Sequence, residues 1–224
     1  MIHFHVITLF PESIEPYLKS SILGRAQKDK KIKISFYDPK KFTRDKYGRV
    51  DRRPYGGGPG MVLEPDGILR ASDYALRKTR QGKKTRQGKT LPWIIFFSTD
   101  GAVFDEGMAK RLSKKKDILL IAGHYEGVDA RVQKILKAKK VSMGPFVLTG
   151  GELPAATLID AISRFVPGVL GKAESLEASR VSSPEVYTRP EVLVWKGKRH
   201  RVPRVLLTGH HAKIEEWKKK KRVQ

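Results

Sequence analysis

The stretch VSMGPFVLTGGELPAA, residues 141–156, constrains the fold more than any other. It opens on a β-branched residue, bends at Gly144-Pro145, runs apolar through Phe146, Val147 and Leu148, and turns again at Thr149-Gly150-Gly151. Glu152-Leu153-Pro154 lead into an apolar helical pattern over residues 155–165. Glycine reaches backbone angles closed to other residues, and proline fixes φ and removes a donor. Two turns so close together, just ahead of a helix, fit a chain that wraps a ligand or lets another segment pass close by.

The sequence around this stretch reads as alternating strands and helices. Residues 2–9 alternate and carry β-branched side chains, which predicts a buried first strand. Phe10-Pro11-Glu12 ends it, and Pro11 suits a helix start; Ile14, Leu18, Ile22 and Leu23 then recur at helical spacing. Residues 33–37 read as a second strand, and a strand–helix–strand opening predicts an α/β fold with a parallel sheet. Residues 65–76 read as a helix. LPWIIFFS, 91–98, and DILLIA, 117–122, are apolar runs that predict core strands, with helices over 105–112 and 128–136. The first run ends in Thr99-Asp100-Gly101 and the second in GHYEGVDARV, 123–132. In open α/β sheets ligands collect past the carboxyl ends of the strands. The loops 98–101, 123–127 and 144–151 are therefore expected to converge. Beyond them, 171–185 reads as a linker, 196–201 as a basic turn, 204–207 as a short strand and 212–221 as a final helix.

Charge narrows the partner. The chain has 46 Lys+Arg against 23 Asp+Glu, a net charge of +23. A field of that sign attracts polyanions, nucleic acid first among them, although a solvated basic surface is the plainer reading. RRPYGGGPGM, 52–61, can be neither helix nor central strand. Its backbone amides can approach a ligand or RNA, with Arg53 and Tyr55 offering charge and a stacking face. The direct repeat KTRQGK, 78–83 and 84–89, is basic, has no apolar anchor and reads as a disordered loop. With no cysteine, disulfides and thiolate metal sites are excluded. Adjacent His210 and His211 point to different sides of an element and have no third ligand at motif spacing, so no metal site is expected. The phosphate loop, the serine-nucleophile elbow and the dinucleotide fingerprint are all missing. No signal peptide and no apolar run of about 20 residues is seen, so the expected location is the cytoplasm, without a membrane.

RPYGGGPGM, YEGVDARV, VLTGGELPA, RFVPGVLG and YTRPEVL…VPRVLLTGHHAKIEEW follow one another in order. Together they make the chain similar to the bacterial tRNA (guanine-37-N1)-methyltransferase family of the SPOUT superfamily, over residues 9–217. The resemblance implies a SPOUT-type α/β fold with a deep trefoil knot and S-adenosylmethionine as cofactor. It also implies tRNA as substrate and a homodimer whose active site lies between subunits. It implies a knotted cofactor domain over 1–170, a linker over 171–186 and a short RNA-contacting segment over 187–224, a truncated form of the family's helical extension. Carried over residue by residue, the cofactor would meet Ser98, Thr99, Gly123, Tyr125, Glu126, Met143, Gly144, Pro145, Phe146, Val147, Leu148, Gly150 and Gly151. Asp51, Arg53, Tyr55, Arg189 and His210 would face RNA, and Arg164 matches the catalytic arginine.

The sequence departs from the family pattern in places. Ser179 stands where the family has its catalytic Asp, and the linker is shorter, which makes Glu177 the candidate base. Pro145-Phe146 replaces Asp-Tyr, His124 replaces Arg, and Arg52 replaces a second Asp. The resemblance also gives Mg2+ an assisting part, although several acidic positions that could hold it are absent. Two alternatives to a guanine-N1 methyltransferase stay open: an RNA-binding protein that kept the knot and lost catalysis, and a methyltransferase for another RNA base.

Overall fold

A computed structural model describes residues 1–81, 92–170 and 185–222. β1 (Ile2–Ile7) is followed by a 3-10 turn and by two short helices, α1 (Glu15–Leu18) and α2 (Ser21–Lys28). The expected single helix is thus broken. Pro16 can sit only in a first turn, and Ser21 has a left-handed φ of 45°, so the chain caps and restarts. β2 (Ile32–Tyr37) follows, then the tiny hairpin of β3 (Asp51–Arg52) and β4 (Val62–Leu63). α3 (Pro65–Gln81) carries residues 78–81 of the basic repeat as helix, against the disordered loop expected there; most of the repeat lies outside the described residues.

β5 (Trp93–Val103) runs past the expected end at Ser98. Phe97 and Ala102 both pair with Val141, so residues 98–101 bulge out of the strand. α4 (Glu106–Leu112) starts on Asp105, whose carboxylate accepts from Met108 N at 2.6 Å. β6 (Asp117–Ile121), α5 (Ala130–Leu136), β7 (Lys139–Ser142) and α6 (Glu152–Ser163) complete the first unit. α6 begins three residues earlier than its apolar pattern predicts and includes Pro154. Proline is tolerated there because first-turn N–H groups have no intrahelical partner.

The five long strands form one parallel sheet in the order β2-β1-β6-β5-β7. Period-2 alternation sorts its two faces. Phe4, Val6, Ile118 and Leu120 point to one side, against Leu18, Leu23, Leu112 and the apolar face of α6. Ile7, Leu119 and Ile121 point to the other, against Ile68, Ala71 and Ala75 of α3 and Val132 of α5. The result is three layers, helix–sheet–helix, with the loops after β6 and β7 leaving at the same end of the sheet.

The chain divides into two compact units, Met1–Leu170 and Gly171–Gln224. The second, taken by itself, contains the hairpin β8 (Val192–Trp195) and β9 (Lys198–Arg201), a 3-10 turn and α7 (His211–Arg222). Lys196 and Gly197 both have positive φ, 48° and 76°, which closes a tight hairpin inside the predicted basic turn. The expected strand over 204–207 is the 3-10 turn Arg204–Leu207. Of the expected linker over 171–186, residues 171–184, with Glu177 and Ser179, lie outside the described residues. Among the described residues, no helix is long and apolar enough to cross a membrane.

Candidate cofactor and RNA cleft

One cleft of about 1760 Å³ opens at the carboxyl ends of β6 and β7. Its floor is the loop that leaves β6, residues 123–127, and its wall is the double turn 143–151. The two meet backbone on backbone. Gly151 N donates to Gly123 O at 2.7 Å, and His124 bridges to Gly150. A Cβ on Gly151 would stand 2.6 Å from Ala122 Cα and 2.8 Å from Gly123 N, so only glycine permits this crossing.

Beneath the crossing lies a buried polar contact that the sequence does not announce. Glu152, in the first turn of α6, accepts from Thr8 Oγ1 at 2.7 Å. His124 Nδ1 stands 3.6 Å from the other Glu152 oxygen, with its ring against Phe10. A carboxylate at a helix N-terminus is favoured by the helix dipole, and here it ties β1, α6 and the β6 loop together. The available signal is one acidic residue opening an otherwise apolar helix.

The Gly-rich loop forms the rim. Gly56, Gly57 and Gly58 have φ of 86°, 82° and 113°, a left-handed run that other residues resist. Its base is stitched to the floor: Glu126 N donates to Met61 O and Leu63 N to Gly127 O, both at 2.9 Å. Asp51, Arg53 and Tyr55 therefore line the same cleft as Gly123, Tyr125 and Glu126. Ser98 and Thr99 reach it from the β5 bulge, and Met143, Phe146, Val147, Leu148, Gly150 and Gly151 from the wall. Gly144 and Pro145 belong to the wall's first turn without facing the cleft.

Sequence reasoning missed part of the basic rim. Arg49, Arg131, Lys134 and Lys140 also line the cleft. Arg131 donates to Asp129 at 2.6 Å, which holds that carboxyl below its usual range. Lys140 pairs with Asp100 at 2.6 Å, and Arg52 with Glu64 at 2.9 Å. Arg131 and Lys134 lie on one side of α5, a three-residue spacing visible in the sequence but without meaning until the helix is placed.

Among the predicted residues of the first unit, Gly144, Pro145 and Arg164 do not line the cleft. Arg164 is half-buried at the C-cap of α6. Twelve helical residues, about 18 Å, separate it from the wall at the helix's other end. Arg189 and His210 are exposed on the second unit. Glu177 is not among the described residues.

A parallel α/β domain with a glycine-crossed, basic-rimmed cleft past its strand ends defines a class: an enzyme domain that holds a small organic ligand beside a polyanion. The comparisons give the family. The family model described as tRNA (Guanine-1)-methyltransferase TrmD matches residues 2–224. A tRNA (guanine-N(1)-)-methyltransferase of Magnetococcus marinus is 42% identical over 221 residues, covering 97% of this chain and 83% of that protein. One of Clostridioides difficile is 38% identical over 225 residues, covering 99% and 92%. The crystal structure of the tRNA (m1G37) methyltransferase from Aquifex aeolicus superposes with a TM-score of 0.76 at 38% identity, covering 97% of this chain and 87% of that one. The chain belongs to the tRNA (guanine-1)-methyltransferase family.

Proposed function

We propose that this chain methylates N1 of guanine 37 in tRNA, with S-adenosylmethionine as donor, as a knotted homodimer. The observation that carries the reading is convergence: the loops 51–61, 123–127 and 143–151, which bear the family's motifs, line one cleft.

The cleft's residues fit the cofactor. The wall 143–151 carries no ionised side chain, and its Phe146 and Val147 are 53% and 84% exposed. Apolar side chains left open around a concavity are the usual setting for a partly apolar ligand. Small-molecule sites span roughly 300–1,000 Å³, so a cleft of about 1760 Å³ has room for a nucleotide beside the cofactor. The knot is supported by the same crossing, since the 143–151 segment passes the 122–123 backbone too closely for any Cβ. Mg2+ finds no comparable setting: Glu64 and Asp129 in the cleft are held by Arg52 and Arg131, and among the described residues no group of three metal-binding side chains gathers there.

The bound cofactor supplies a methyl group already activated as a sulfonium. The protein must then orient guanine and move one proton. Guanine N1 carries a proton at neutral pH; the Glu177 carboxylate takes it as the methyl arrives. Negative charge grows on O6, where the Arg164 guanidinium stabilises it. With Arg164 some 18 Å along α6 from the wall of its own cleft, the site is completed between two copies of the chain. Basic residues on the cleft rim hold the anticodon arm through its phosphates.

Labelled S-adenosylmethionine incubated with tRNA transcripts tests this reading. Label should enter transcripts with G at position 37 and not those with A; equal labelling of both would overturn the site assignment. Tight tRNA binding with no labelling would point to a binding protein. Glu177→Gln should slow single-turnover transfer at least ~100-fold with cofactor affinity unchanged; near-normal rates would remove Glu177 from the base role.

A further inference from the structure

His3, His5 and Asp117 are gathered at the amino ends of the strands, the opposite end of the sheet from the cleft. The strand period of two puts His3 and His5 on one face of β1, with their rings 3.8 Å apart. Parallel register sets Asp117, the first residue of β6, directly beside His3. One ligand atom from each of the three lies within 4.8 Å of the others. His5 is fully buried, and His3 and Asp117 are half-buried, so the group is screened from water but open on one side.

The hydrogen bonds around the rings have the pattern of a metal site. His5 Nδ1 is 3.0 Å from the Tyr37 hydroxyl, which leaves Nε2 turned to Asp117 at 3.4 Å. His3 Nε2 is 2.9 Å from Ser35 Oγ, and Nδ1 is its second ring nitrogen. Each imidazole thus has one nitrogen fixed by an outer partner from β2 and one nitrogen to give. Metal-bound histidines are held in this way.

We propose that His3, His5 and Asp117 form a binding site for a zinc-type divalent cation, with water as the fourth ligand. Zinc–nitrogen bonds of about 2.0–2.1 Å put tetrahedral ligand atoms about 3.4 Å apart, so the trio closes by roughly 1 Å through side-chain rotation. Neutral imidazole is the metal-binding form of histidine. The donor set chooses the metal: two imidazoles and one carboxylate, that of Asp117. Mg2+ and Ca2+ take oxygen ligands, whereas Zn2+ and Co2+ accept nitrogen donors. A bound ion would clasp β1 to β6, whose other contacts are backbone ladder and core packing.

The full chain, purified without a histidine tag and stripped with chelator, is titrated with Co2+ and then Zn2+. One equivalent of Co2+ should give tetrahedral visible bands that Zn2+ bleaches, and Zn2+ should raise the unfolding temperature. His3→Gln and Asp117→Asn should each weaken binding at least ~10-fold while S-adenosylmethionine affinity, read at the far end of the sheet, stays unchanged. The His210→Ala/His211→Ala double variant should bind as the parent does. The proposal is overturned if the parent shows no tetrahedral bands, if both trio variants bind as tightly as the parent, or if the His210/His211 variant alone loses the metal. Since both trio variants keep near-isosteric side chains, folding is checked by circular dichroism and by the retained cofactor affinity.

Discussion

Arg164→Ala is expected to lower methyl-transfer turnover about 100- to 1,000-fold while S-adenosylmethionine binds as before. A positioned donor aimed at a developing oxyanion is worth this much because the charge it meets exists only in the transition state. The separation of effects follows from where Arg164 sits. It caps the far end of α6, while the cleft wall meets the near end at Gly151. Arg164→Lys should recover only part of the loss, since an ammonium keeps the charge and loses the planar fork. Transfer at the parent rate, or a loss of cofactor affinity equal to the loss of turnover, would remove Arg164 from its role at O6.

Gly151→Ala should weaken S-adenosylmethionine binding about 100-fold and lower folding stability by roughly 1–3 kcal/mol. Gly151 has an ordinary φ of −85°, so the effect is one of space and not of backbone strain. The added Cβ meets Ala122 Cα at 2.6 Å and Ala122 C at 2.9 Å, atoms with no rotamer to escape into. The wall and floor of the cleft must separate by about an ångström, and the 2.7 Å bond from Gly151 N to Gly123 O lengthens with them. Gly57→Ala provides the contrast. That site has φ of 82° and open space around it, so the cost is local and cofactor affinity should hold. Calorimetric titration and thermal melts of the two variants separate the cases; unchanged affinity in Gly151→Ala would mean that the crossing is not part of the cofactor site.

Much of the sheet is legible in the sequence because apolar runs such as DILLIA have one stable destination, a strand covered on both faces. The places where expectation fails have tertiary causes. β5 continues beyond Ser98 because Gly101 can lie against the Val141 backbone, where a Cβ would come within 2.5 Å of Val141 N. The opening helix breaks at Pro16 and Ser21, where local backbone rules outrank the apolar spacing of Ile14, Leu18 and Ile22. The 204–207 segment has strand-like residues but follows Pro203 and tightens into a 3-10 turn.

The cleft divides in the same way. Its wall and floor are readable because glycine and proline punctuate them, and Asp51, Arg53 and Tyr55 flank the Gly-rich loop. Arg131, Lys134 and Lys140 are not readable as rim residues, since nothing local distinguishes them from other surface cations in a chain of charge +23. His5 and Asp117 stand 112 residues apart, and only the register of β1 on β6 brings them together.

The most direct test of the account is nucleoside analysis of tRNA before and after incubation with the protein and S-adenosylmethionine. Digestion and mass spectrometry identify which nucleoside gains a methyl group, and sequencing of the fragments gives its position. The account predicts 1-methylguanosine at position 37 as the one new modification. Methyl on another atom of guanine, on another base, or at a position away from the anticodon would contradict it.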